Sequence, residues 1–165
     1  MNGEEIADIF KQAKRDPSLF STMDIENLLA TIENEKNDYL ENKTTGHIAS
    51  TIMEELEGLG LTEEEIEPIY IKLLGYRFVD EIHELHKGKN VRWIRRPTNG
   101  QGTNQVRLTN GGIVVDIKFL DAGVQVLCLN SQQRFIQYKF DECLTFQKLS
   151  PEEQLILMAY EHLEK

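Results

Sequence analysis

The hydrophobic period of this chain changes once, at Gly88, and that change limits what the chain can fold into. Before Gly88 apolar residues recur every three or four positions, which lines one face of a helix; after it they alternate, which lines one face of a strand. Ile6, Ile9, Phe10 and Ala13 make a first helical stripe, ended by Asp16-Pro17. Ile25, Leu28, Leu29, Ile32, Tyr39 and Leu40 make a second, behind the cap-like Ser21-Thr22-Met23-Asp24. Its middle, Glu33 to Asp38, is fully polar and is expected to project into solvent. Ile48, Ile52, Met53 and Leu56 make a third, stopped by Gly58-Leu59-Gly60. Thr62-Glu63-Glu64-Glu65 reads as a capping box, hydroxyl to a backbone N–H and carboxylate reaching back. It opens a segment through Ile66, Ile69, Tyr70, Leu73 and Leu74, continuing with Phe78, Val79, Ile82 and Leu85. Pro68 and Gly75 suggest two short helices or one bent helix there. The expectation is an acidic segment of four or five amphipathic helices over residues 1–87.

Residues 88–149 carry the alternating pattern. Asn90-Val91-Arg92-Trp93-Ile94-Arg95-Arg96 predicts a strand closed by Pro97, followed by a polar loop and a possible short strand at 106–108. Asn110-Gly111-Gly112 predicts a turn. Residues 113–120 and 124–129 predict a hairpin about Asp121-Ala122-Gly123. After the turn 130–133, residues 134–140 return; Asp141 to Leu144 suggests one 3₁₀ turn before a last short strand at 145–149. Ser150-Pro151-Glu152-Glu153 is the strongest boundary in the sequence, with an N-cap serine, proline at the first helical position and a glutamate as box partner. It opens a C-terminal helix over 150–165 with Leu155, Ile156, Ala159, Tyr160 and Leu163 on its apolar face. The expected class is α+β: N-terminal helices, a five-stranded antiparallel β-barrel and a C-terminal helix.

The order of strand, long loop, two hairpins, 3₁₀ turn and short last strand over residues 89–149 resembles the SH3-like barrels, including the Tudor, KOW and Sm-like groups. That resemblance implies a closed five-stranded barrel. It carries no site residue: the acidic and aromatic first loop of peptide-binding SH3 domains is absent from Pro97 to Gln105. An aromatic cage for methyl-lysine needs several converging rings, for which Trp93, Phe135 and Tyr138 are the candidates. Leu108 to Leu149 also resembles uncharacterised proteins of large DNA viruses, which implies a viral structural or accessory role.

Charge divides along the same boundaries. The net charge is −10, yet residues 1–87 carry 20 acidic and 8 basic side chains while 88–149 carry nine basic and four acidic. The β-rich block is therefore positive within an acidic protein, and such asymmetry bears on partners. With 40% hydrophobic and 28% charged residues the chain falls in the globular range and not the disordered one. No apolar run is long enough to span a membrane, and the acidic start, MNGEEIADIF, is unlike a secretory signal; both point to an intracellular protein.

Few residues carry an argument for chemistry. His83 and His86, three apart on the expected helix, are weak candidate metal ligands, and a packing or capping role is the stronger reading. Cys128 reads as a small buried hydrophobe, and Cys143 stands beside acidic residues that raise a thiol pKa. The carboxylates lie at solvated helical positions, and neither a Walker A sequence nor a dinucleotide fingerprint is present. The expectation is no catalytic residue, no cofactor and no enzyme activity.

The strongest positive signal is Arg92-Trp93-Ile94-Arg95-Arg96, extended by Arg107, Lys118, Arg134 and Lys139, with Gln137 and Asn104 as neutral hydrogen-bonding groups. Small barrels that bind nucleic acid combine a basic face with an aromatic stacking platform. Against that, Trp93 can close the core and the arginines can pair with Glu63 to Glu67. Two functions follow. The first is a non-catalytic interaction or structural module that engages a protein partner or itself. The alternative is a nucleic-acid-binding protein that uses the basic face.

Overall fold

The caps set the helices. The computed structural model describes residues 35–98 and 106–163, and a 3₁₀ helix, Glu35–Leu40, precedes α1, Thr45–Glu57, and α2, Glu63–Lys72. At the start of α2, Thr62 Oγ1 accepts from Glu65 N–H at 3.3 Å and Glu65 Oε1 accepts from Thr62 N–H at 3.1 Å, the reciprocal box the sequence predicts. Pro68 sits within α2 without ending it. The stripes at 6–13 and 25–32 and the loop around Asn104 lie outside the described residues.

The expected helix through Phe78 and Leu85 does not form. Gly75 adopts φ +85°, a left-handed conformation that carries the chain out of α2 at little cost to a glycine. Strand β1, Tyr76–Val79, follows, then a 3₁₀ turn, Ile82–Glu84. Arg77 and Val79 point to one face of β1, while Tyr76 and Phe78 point to the other; both faces are partly apolar, which imitates a helical period.

The remaining strands are β2, Asn90–Arg95; β3, Gly112–Leu120; β4, Gly123–Leu129; β5, Phe135–Lys139; and β6, Cys143–Lys148, with a 3₁₀ turn, Phe140–Glu142, before β6. Helix α3, Pro151–Leu163, ends the described chain. The strands form one antiparallel sheet in the order β1-β6-β2-β3-β4-β5. Among the described residues there are six strands and not five, and their sheet is not closed into a barrel: β1 and β5 are its two edges. The α+β class and the C-terminal helix are as predicted; the described N-terminal part holds two α-helices and one 3₁₀ helix.

The chain divides into two units. One comprises residues 1–48 and 149–165, the other residues 49–148. In the first, Ser150 Oγ accepts from Glu153 N–H at 3.1 Å and Glu153 Oε1 accepts from Ser150 N–H at 3.0 Å. Glu153 is buried, and its other oxygen accepts from Tyr39 Oη at 2.5 Å. One carboxylate therefore caps α3 and ties it to the 3₁₀ helix Glu35–Leu40. Its burial is tolerable because its oxygens are hydrogen-bonded.

In the second unit, the sheet carries a core of Val79, Leu85, Val91, Trp93, Val114, Val126, Cys128, Tyr138 and Cys143. Asn110-Gly111-Gly112, expected as a turn, is a glycine bulge in a nearly continuous strand. Ile94 bridges Leu108, Thr109 N–H donates to Trp93 O at 3.0 Å, and β3 then pairs Gly112 with Val91. Between these two registers Gly111 takes φ +75°, and a Cβ there would lie 1.8 Å from Val91 O. Only a glycine lets the backbones approach this closely.

Gly111→Ala is therefore expected to destabilise the sheet by at least ~3 kcal/mol in urea unfolding followed by Trp93 fluorescence. Gly58→Ala, whose Cβ would meet only carbonyl oxygens at 3.5–3.6 Å, is expected to stay within ~0.5 kcal/mol of the parent. Equal midpoints for the two variants would refute the bulge.

Candidate functional site

Strands β6 and β2 bury residues on both faces and β1 buries Arg77 and Val79 on one; β3, β4 and β5 bury residues on one face only. On β6 both Thr145 and Phe146 are buried, and on β2 both Trp93 and Ile94. On β3, β4 and β5 the core face holds Val114, Ile117, Val126, Cys128, Ile136 and Tyr138. The opposite face is open. Register sets its side chains in three cross-strand rows: Ile113, Leu129 and Phe135; Asp116, Leu127 and Gln137; Lys118, Gln125 and Lys139.

Leaving apolar groups in water is unfavourable, so the first row is informative. Phe135 is 66% exposed and Ile113 43%, and leaving such a phenylalanine in water forgoes roughly 1–2 kcal/mol of burial. Val115, the extra residue of a bulge between Val114 and Asp116, is exposed as well. The third row sets two lysines either side of Gln125, whose Oε1 accepts from Gln137 Nε2 at 2.5 Å. In the middle row Asp116 is engaged by Lys87 at 3.2 Å and by the Ile117 amide at 2.9 Å, which hold its carboxyl below the usual range.

The face ends on an open edge. Asn130 N–H donates to Arg134 O at 2.9 Å, in continuation of the Leu129–Phe135 register. Antiparallel pairs alternate between hydrogen-bonded and not. Ile136 and Tyr138 therefore bond β4, and Phe135, Gln137 and Lys139 turn their N–H and C=O groups away from it. No described strand lies on that side.

The sequence-predicted basic residues are distributed otherwise than expected. Trp93 is 6% exposed and stacks on Tyr138, ring centroids 4.2 Å apart, so it is a core residue and not a stacking platform. With both rings buried, no aromatic cage forms from Trp93, Phe135 and Tyr138. Arg92 Nε donates to Thr109 O at 2.8 Å, and Arg96 Nη1 donates to Asp141 O at 2.8 Å. Arg95 and Lys139 both approach Glu142, at 3.9 and 3.7 Å. These ion pairs are largely exposed and contribute little. Arg92, Arg95 and Arg96 are thus engaged at Thr109 and the Phe140–Glu142 turn, and among the described residues no ion pair joins them to Glu63–Glu67. Arg107 stands beside Arg95 through the Ile94–Leu108 bridge, and it and Arg134 are exposed. Lys118 and Lys139 are the predicted residues that share the open face.

His83 and His86 are not on an α-helix: His83 lies in the 3₁₀ turn Ile82–Glu84 and His86 follows it. His83 Nδ1 meets Glu81 at 3.2 Å, and the His86 amide donates to Gln147 Oε1 at 2.8 Å. Among the described residues no group of three or more His, Cys, Asp or Glu is placed to hold a metal ion. No helix among them is long and apolar enough to cross a membrane. Burial pushes the Cys128 thiol up to about 12 and the Cys143 thiol up to about 11.

Phe135 is the residue that sequence reasoning missed, since it entered only as a candidate for an aromatic cage. Its strand position was legible, and its face was the weak point: Phe135, Gln137 and Lys139 against Ile136 and Tyr138 offers an aromatic on both sides. Comparison with protein-family models, curated proteins and solved structures gives no match.

The buried thiols yield an expected outcome. At pH 8 both cysteines should react with a disulfide reagent at least ~100-fold more slowly than a free cysteine, whose pKa is near 8.5, and two thiols per chain should appear in guanidinium. The stabilisation from keeping them protonated is present below the free-thiol range and is lost as pH rises toward the folded values. A native thiol reacting at the free rate would contradict their placement.

Proposed function

We propose that the chain is a non-catalytic interaction module that docks a protein partner on the open face of β3, β4 and β5. The observation that carries this reading is the apolar row Ile113, Leu129 and Phe135, running across three strands to an open edge. Exposed apolar residues in a contiguous row are a docking signature; scattered ones are not. The apolar row stands at one end of this face and the lysines and amides at the other, so a partner would meet an apolar patch with polar groups beyond it on one side. We place it inside the cell, where free thiols such as Cys128 and Cys143 stay reduced.

One observation favours a second reading. Arg95, Arg96 and Arg107 stand together at the end of β2, and guanidinium groups this exposed suit phosphates. On that reading the chain binds nucleic acid, with Phe135 as the stacking ring beside Lys118 and Lys139.

A photoreactive phenylalanine analogue at position 135 separates them. In cells that express the protein, the module predicts a discrete protein adduct, lost when Leu129→Glu places a charge in the same row. An adduct removed by nuclease would support the second reading. Failure to form any adduct at 135, with equal yield at a control position on α2, would contradict both.

A further inference from the structure

We propose that the open edge of β5 binds an extended acidic peptide by strand addition, so that the partner becomes a seventh strand of the sheet. This rests on the reading of the β3–β5 face as a docking surface and adds the chemistry of the partner.

The two edges of the sheet are not equivalent. β1 has four residues and points Arg77 inward, 1% exposed, with Nη2 donating to Glu84 O at 2.5 Å. A short edge strand with an inward charge resists pairing with another chain. β5 has neither feature: its inward residues are Ile136 and Tyr138, and it contains no proline and no bulge. Its outward N–H and C=O groups at Phe135 and Gln137, with the N–H of Lys139, whose C=O starts the Phe140–Glu142 turn, form a ready ladder for an incoming strand.

Register then dictates what that strand carries. Side chains opposite Phe135, Gln137 and Lys139 lie on the open face, and those opposite Ile136 and Tyr138 extend the core. Opposite Phe135 an apolar group continues the row from Ile113 and Leu129. Opposite Lys139 a carboxylate is favoured, with Lys118 in the same row. Read from its N-terminus, an antiparallel partner runs acidic, apolar, polar, apolar, apolar. A second copy of β5 fits less well. Antiparallel pairing about Gln137 would set Lys139 of each copy opposite Phe135 of the other, a charge against an apolar ring, with no carboxylate for either lysine in the row.

The test uses the full chain and a fluorescein-labelled peptide, Asp-Glu-Val-Thr-Val-Leu-Ser, in anisotropy titrations at low and physiological salt. Strand addition predicts saturable binding, weakened about tenfold or more by N-methylation of the peptide Thr and Leu, whose N–H groups would face β5. Gln137→Pro removes an outward donor at an edge position that tolerates proline, and is expected to abolish binding with native Trp93 fluorescence retained. Lys139→Glu should weaken the acidic peptide about tenfold and spare a peptide with Lys in place of Asp and Glu. Binding that survives both N-methylation and Gln137→Pro but is lost in Phe135→Asp would overturn strand addition and leave the docking face standing. A thymidine oligomer bound with a steep salt dependence, with no peptide binding, would overturn both. A dimer in light scattering that Gln137→Pro dissociates would show that a second copy is the occupant, and would overturn the acidic peptide.

Discussion

The sheet depends on β6 being buried on both faces while it pairs two neighbours. Cys143, Leu144, Thr145, Phe146 and Gln147 are all buried, between β1 and β2. Polar side chains on such a strand are costly to bury unless they find partners, and Gln147 Nε2 finds none among the described residues. Thr145 Oγ1 lies 3.0 Å from Tyr138 Oη, and Gln147 Oε1 accepts from the His86 amide. Phe146 packs its ring 5.8 Å from that of Phe78. With one face of β6 carrying the Trp93–Tyr138 core and the other Phe146 and Leu144, the sheet is sealed on the β1 side. The exposed large hydrophobic side chains of the sheet all lie on β3 and β5.

That asymmetry explains what the sequence made legible. Where one face is wet, alternation is clean, and residues 113–140 read correctly as three strands and two turns. The capping boxes at Thr62 and Ser150 were legible because four residues suffice to make them. Tyr76-Arg77-Phe78-Val79 is only four residues long and sets aromatic residues on the face opposite Val79, so its alternation was hidden, it read as part of a helix, and the sixth strand went unseen. The closed barrel failed with it, since an added strand beside β6 occupies the place that closure requires. Asn110-Gly111-Gly112 read as a turn because a bulge and a turn both need left-handed glycine; only the approach to Val91 O distinguishes them.

The candidate site was less legible than the fold. Basic residues were found from their count in one block, but their count says nothing about where they point. Arg92 and Arg96 donate to backbone carbonyls and Trp93 enters the core, so the cluster that stood out in sequence serves the sheet first. The surface that remains is built from residues far apart in the chain, Ile113 with Leu129 and Phe135, and only strand register joins them. In this account the positive block acts through Lys118 and Lys139, beside an apolar row, and not as a continuous basic stripe.

The central claim is that β5 is a free edge. Amide hydrogen exchange along β5 in the isolated chain, read residue by residue by NMR, tests it most directly. The account predicts alternation, with slow exchange at Ile136 and Tyr138 and fast exchange at Phe135, Gln137 and Lys139. Uniform protection from Phe135 to Lys139 would mean that another strand already covers this edge, and would contradict the account.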